Sequence, residues 1–87
     1  MKIKIKVSPL FEKHYRKLPE RIKQKAKEKE KIFRENPFHP ILKTHKLSGK
    51  EKECWAFWID YVYRIKFIFI DDDGILFLDI GTHDIYK

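Results

Sequence analysis

Cysteine is almost missing from these 87 residues: Cys54 stands alone. A lone thiol excludes an intrachain disulfide framework and fits a reducing cytoplasm. Its simplest use is as a small buried hydrophobe. Long apolar runs are missing too, since no stretch nears the roughly 20 apolar residues of a membrane span. Residues 1–6 alternate charge and apolar side chains and lack the apolar core of a secretion signal. No internal repeat or low-complexity linker is present. The length supports one domain, residues 1–87, around one core. Acidic residues are scarce where basic ones are dense. Residues 1–52 carry 17 Lys/Arg against 6 Asp/Glu, and residues 53–87 reverse this with 3 against 7, for a net charge of +7. A polyanion would be held mostly by the first half. A solvated lysine-rich surface has the same composition.

What is there falls into six elements. Ile3, Ile5 and Val7 alternate with Lys2, Lys4 and Lys6, the pattern of a half-buried strand over residues 2–7. Ser8-Pro9 supplies an N-cap and a first helical residue. A first helix is expected over residues 9–18, with Phe11, Tyr15 and Leu18 on one stripe. Pro19 breaks it and starts a second, highly charged helix over 19–35, stopped by Asn36-Pro37. Its apolar stripe is thin: Ile22, Ala26 and Phe33. Residues 36–50 read as an irregular connector anchored by Phe38, Ile41, Leu42 and Leu47. The period then changes to two, with strands expected over 53–60, 61–70 and 75–82. Asp71-Asp72-Asp73-Gly74 is a solvated hairpin turn. It lacks the spaced acids and distal Glu of an EF-hand, so it is no calcium loop. The expected fold is α+β, in the order β-α-α-β-β-β. An antiparallel sheet carries an N-terminal helical hairpin on one face.

Strand alternation then sorts the chemistry. On the middle strand Tyr63, Ile65, Phe67 and Phe69 share one face, and Arg64, Lys66, Val62, Ile68 and Ile70 the other. On the last strand Leu76, Leu78 and Ile80 oppose Phe77, Asp79, Gly81 and His83. With the aromatic and aliphatic set under the helices, Arg64, Lys66 and His83 lie on the open face or its rim. The strand ends on Gly81-Thr82-His83-Asp84-Ile85-Tyr86-Lys87. Glycine there marks close backbone approach. Histidine exchanges protons near neutral pH without help. A fixed guanidinium beside a titratable imidazole suits RNA cleavage by internal attack. A base takes the 2′-hydroxyl proton, an acid protonates the leaving 5′-oxygen, and a cation steadies the phosphoryl oxygens. That scheme requires no metal and no cofactor. A strand arginine also commonly makes an ion pair, here with Asp79.

These residues carry a resemblance that spans nearly the whole chain. Asn36-Pro37 through Leu47-Ser48-Gly49, Cys54-Trp55-Ala56-Phe57-Trp58-Ile59-Asp60, Tyr63-Arg64-Ile65 and Ile80-Gly81-Thr82-His83-Asp84 with Tyr86 follow one another in family order. The chain resembles the RelE/ParE superfamily of toxin–antitoxin toxins, especially the YafQ- and YoeB-like ribosome-dependent mRNA interferases. The resemblance implies a cytoplasmic toxin that cuts mRNA in the ribosomal A site, contacts ribosomal RNA and is silenced by an acidic antitoxin. It implies His83 as general acid, Arg64 as transition-state cation and the connector's His45 as general base. Tyr86 matches a tyrosine that positions or stacks on a base, and Asp84 is expected to orient His83 or the chain end. Lys43, Lys46, Lys50, Lys52 and Lys66 are expected contacts to RNA. The chain departs from RelE itself on the first meander strand. Lysines there are replaced by Trp55, Phe57 and Trp58, of which at least two are expected in the core and any can stack on a base. The glutamate that YoeB-like members use as a base has no clear counterpart near Pro40-Ile41. Two other readings share the fold: a ParE-like poison of gyrase without nuclease activity, and an inactive RNA-binding relative.

Overall fold

A computed structural model describes residues 3–49 and 53–86. Strand β1 (Lys4–Val7) leads into helix α1 (Pro9–Arg16) and helix α2 (Glu20–Glu35). A 3-10 turn (Pro40–Leu42) and a two-residue strand β2 (His45–Lys46) occupy the connector. Strands β3 (Trp55–Trp58), β4 (Tyr63–Phe69) and β5 (Gly74–Thr82) follow, and a 3-10 turn (His83–Tyr86) comes after β5. The five strands lie in the order β1-β5-β4-β3-β2. Element order and class agree with the sequence expectation. Two details differ. The sheet is mixed, because β1 runs parallel to β5, and the connector adds an edge strand. Alternation identifies a strand but carries no information on its direction, and two residues are too few to show a period.

Ser8 starts α1 and also fastens it. Its Oγ accepts from the Phe11 N–H at 3.0 Å and donates to the Leu78 carbonyl of β5 at 2.7 Å. One side chain thus satisfies an orphan helix donor and ties α1 to the sheet. Helix α2 buries Ile22, Ala26 and Phe33 and leaves its charges in water. Phe33 is the hub of the core. Its ring centroid lies 4.7 Å from Phe57, 5.0 Å from Phe67 and 5.6 Å from Phe77, so α2 contacts three successive strands through one residue. Of the expected connector anchors, Leu42 is fully buried, but Phe38 and Ile41 are about half exposed. Phe38 instead covers Trp55 and Phe69 at 5.5 and 6.2 Å. Cys54 is buried, as expected for a small apolar residue.

Parity on β5 is broken by a bulge. Lys66 faces Asp79 while Phe67 faces Phe77, so Leu78 has no partner in the register. A bulged residue shifts every later side chain by one position. Ile75, Phe77 and Ile80 therefore all enter the core, which corrects the expected grouping of Leu76, Leu78 and Ile80. Asp79, beside the bulge, meets α1. Its buried carboxylate accepts from His14 Nδ1 at 2.6 Å and from the Ile80 N–H at 2.8 Å. The expected Arg64–Asp79 ion pair is not formed; Asp79 pairs with His14 instead.

Candidate functional site

Arg64 sits in the middle of the sheet, opposite Trp58 on β3 and Gly81 on β5. Directly paired residues share a face, and Ile65, one step along, lies in the core. Arg64 therefore lies on the face away from the aromatic core, as alternation implies. It is not freely exposed there, with only 9% of its surface open. Its guanidinium carbon stands 4.0 Å from the centre of the Trp58 ring. Nη1 donates to the Asp60 carbonyl at 2.7 Å and to the Tyr63 carbonyl at 3.2 Å. Among the described residues, Nε and Nη2 have no hydrogen-bond partner. The group is stacked and anchored on one side while two donor nitrogens remain available.

The anchor is built by the turn between β3 and β4. Asp60 Oδ1 accepts from the Val62 and Tyr63 N–H groups at 2.9 and 2.7 Å, an Asx turn that shapes the loop. The turn aims the Asp60 carbonyl back at Arg64. Partial burial pushes the Asp60 carboxyl upward. The Tyr63 and Val62 N–H groups and the Lys25 ammonium, 3.6 Å away, outweigh it and hold the acid below its ordinary value. Asp60 therefore stays ionised and bonded to its turn at neutral pH.

His83 opens the last 3-10 turn and is exposed. With Arg64, Trp58, Tyr61 and Val62 it lines a cleft of about 490 Å³. Gly81 allows the turn to fold back: a Cβ there would lie 3.0 Å from Ile85 Cγ2. Close approach is therefore the structural reason for this glycine. Lys66 Nζ donates to the Ile85 carbonyl at 3.2 Å and holds the same turn. Asp84 faces Thr82, whose Oγ1 lies 3.4 Å from the carboxylate.

The remaining site residues scatter. His45 pairs with Ala56 on edge strand β2 and is exposed, with Nδ1 2.9 Å from the Lys43 carbonyl. It is not among the cleft-lining residues, and β2 lies three strands from β5, about 14 Å at ordinary strand spacing. Lys46 is exposed opposite Trp55. Lys43 comes closer, with Nζ 5.4 Å from the Trp58 ring centre. Its φ of 50° lies in the left-handed region that a lysine rarely adopts. Lys50, Lys52 and the Tyr86 side chain lie outside the described residues. Among the described residues no group of three His, Cys, Asp or Glu side chains is placed to hold a metal ion. No described helix is long and apolar enough to cross a membrane.

Sequence reasoning did not assign the two aromatic members of this cleft. Trp58 was one of three aromatics with an open assignment; Phe57 took the core position, Trp55 packed against the core and Trp58 turned to Arg64. Tyr61 was assigned to a strand and instead stands in the turn with 81% of its surface open. The signal was Asp60, a turn former three residues before the β period resumes at Tyr63.

No family model and no curated protein matches the chain. Solved structures do. A YoeB/ParE toxin from Agrobacterium tumefaciens superposes with a TM-score of 0.79 at 15% identity, over 93% of this chain and 99% of that one. YafQ from E. coli gives 0.77 at 21% identity, over 95% and 96%. The archaeal RelE of the RelE-RelB complex from Pyrococcus horikoshii gives 0.74 at 19%, over 94% and 96%. The chain shares the fold of these solved structures.

Proposed function

We propose that the protein is the toxin of a toxin–antitoxin pair and cuts messenger RNA in the ribosomal A site. The ribose 2′-oxygen attacks the adjacent phosphorus, the bond to the 5′-oxygen breaks, and a 2′,3′-cyclic phosphate and a 5′-hydroxyl result. His83, when protonated, gives its proton to the leaving 5′-oxygen. Arg64 offers Nε and Nη2 to the phosphoryl oxygens as their charge grows. The observation that carries this reading is that both residues line one cleft, on a guanidinium already fixed by Trp58 and the Asp60 turn. His45 falls outside that pair, and the 2′-hydroxyl proton passes to solvent water in the open cleft. An acidic antitoxin would cover the basic first half of the chain. The E. coli YafQ neighbour has been solved in a toxin–antitoxin complex with DinJ.

The test is primer extension on a translated message after induction, with the parent and two variants. His83→Ala removes the acid and should lower cleavage by about 10²–10⁴-fold. Arg64→Lys keeps a charge but loses the planar fork and its stack, and should cost about 10²-fold or more. His83 is exposed, so thermal unfolding of its variant should match the parent. Parental cleavage by His83→Ala would remove the acid assignment. Gyrase-dependent DNA breaks with intact message would replace the nuclease by a gyrase poison.

A further inference from the structure

Trp58 and Tyr61 border two depressions. One is the cleft that holds Arg64 and His83. The other, of about 270 Å³, lies towards α2 and is lined by Lys25, Lys29, Ile41 and Asp60 as well as these two rings. The rings therefore form a ridge between the reactive cleft and the basic helix. Tyr61 contributes little to the core, with 81% of its surface in water and its ring edge-on to Trp58 at 5.9 Å. Cations flank the ridge: Arg64 and Lys43 lie over Trp58 at 4.0 and 5.4 Å. The acids are fewer. Asp60 is paired with Lys25, and Glu28 sits in the depression towards α2.

An exposed aromatic ring between fixed cations is how proteins hold single-stranded nucleic acid. Phosphates follow the charges and bases stack on the rings. A duplex hides its base faces, so such a ridge selects an unpaired nucleotide. We propose that Tyr61, supported by Trp58, stacks on the nucleobase next to the phosphate gripped by Arg64 and His83, and that the strand continues towards Lys29. This rests on the RNA-cleaving reading above and adds to it the subsite that orients the substrate. The ring has no hydrogen-bond code for a base, so it ranks bases by stacking strength, purine above pyrimidine.

The probe is a short single-stranded RNA with 2′-O-methyl groups throughout, which binds but cannot be cut by internal attack. Its affinity is measured by anisotropy for the parent, Tyr61→Phe and Tyr61→Ala, free and on ribosomes programmed with the same RNA. Tyr61→Phe keeps the ring and should bind like the parent. Tyr61→Ala should bind about tenfold more weakly or worse. Replacing the nucleotide at the scissile position by an abasic one should erase the difference between parent and Tyr61→Ala. The proposal is overturned if Tyr61→Ala binds as tightly as the parent, or if the abasic probe still separates the two. No measurable binding of the parent in either setting also overturns it. So does a Tyr61→Ala protein that keeps its RNA affinity but loses its antitoxin, because the ridge then docks a protein. Failure of the cleavage reading looks different: the parent leaves translated message intact whatever Tyr61 does to binding.

Discussion

Replacing Phe33 by alanine should remove a large share of the stability of this domain. Phe33 is fully buried and its ring meets Phe57, Phe67 and Phe77, one from each central strand. Truncating a buried phenylalanine costs about 3–5 kcal/mol, the sum of lost transfer energy and the cavity left behind. A cavity here cannot close easily, because its walls are rings held by three hydrogen-bonded strands. At least the middle of that range, about 4 kcal/mol, is expected. A domain of this length has roughly 4–13 kcal/mol in total. At about 4–8 °C per kcal/mol for a domain of this size, the midpoint should fall by ~16–32 °C. Phe38→Ala is the control. Phe38 also touches two aromatic residues, Trp55 and Phe69, but is half exposed, so about 1 kcal/mol is expected. Thermal and denaturant unfolding followed by circular dichroism measure both. If Phe33→Ala stays within about 1 kcal/mol of the parent, or if Phe38→Ala costs as much, Phe33 is not the hub.

Asp60→Asn keeps an oxygen for the Val62 and Tyr63 N–H groups but removes the charge facing Lys25. The folded carboxyl lies below its ordinary value, so its contribution is present above the unfolded pKa and is lost as pH falls through the folded one. The parent should exceed the variant by less than about 1 kcal/mol at pH 7, because Lys25 is partly solvated. The gap should close below about pH 4; denaturant midpoints at pH 7 and pH 3 that differ by the same amount would contradict this. Gly81→Ala brings a Cβ to 3.0 Å from Ile85 Cγ2, so that side chain must give way by a few tenths of an ångström in the turn that carries His83. Cleavage should fall about tenfold with little change in midpoint, since small misplacements at a reacting centre are costly. Full activity in that variant would mean the turn is free to shift without consequence.

Helix and strand order were legible because the residues that signal them act locally. Ser8-Pro9, Pro19 and Asn36-Pro37 punctuate the helices where the sequence places them, although α1 ends at Arg16 and not at residue 18. Ile65 and Phe67 went under the helices as alternation required. The site was only half legible, because it depends on register. The run Ile75-Leu76-Phe77-Leu78 is apolar at every position, so nothing in it marks Leu78 as the bulged residue. Nor does it show that Asp79 meets His14 of α1 and not Arg64. The partner that Arg64 does have, Trp58, comes from the β3–β4 pairing, which is fixed by the length of an Asx turn. The sequence expectation ended one strand at Asp60 and began the next at Tyr61, and so lost the turn, the stack and the exposed ring at once.

The parallel pairing of β1 with β5 bears on how the chain is made. Lys4 takes Gly74 as its partner, and Ser8 reaches Leu78 across 70 positions. A growing polypeptide emerges from its N-terminus. Its two helices are therefore complete long before Phe57, Phe67 and Phe77 exist to receive Phe33. Contacts this distant along the chain form slowly, because a long loop must close first. Newly synthesised molecules thus pass through an interval in which the Arg64 cleft, with His83 as a late arrival, is not yet assembled.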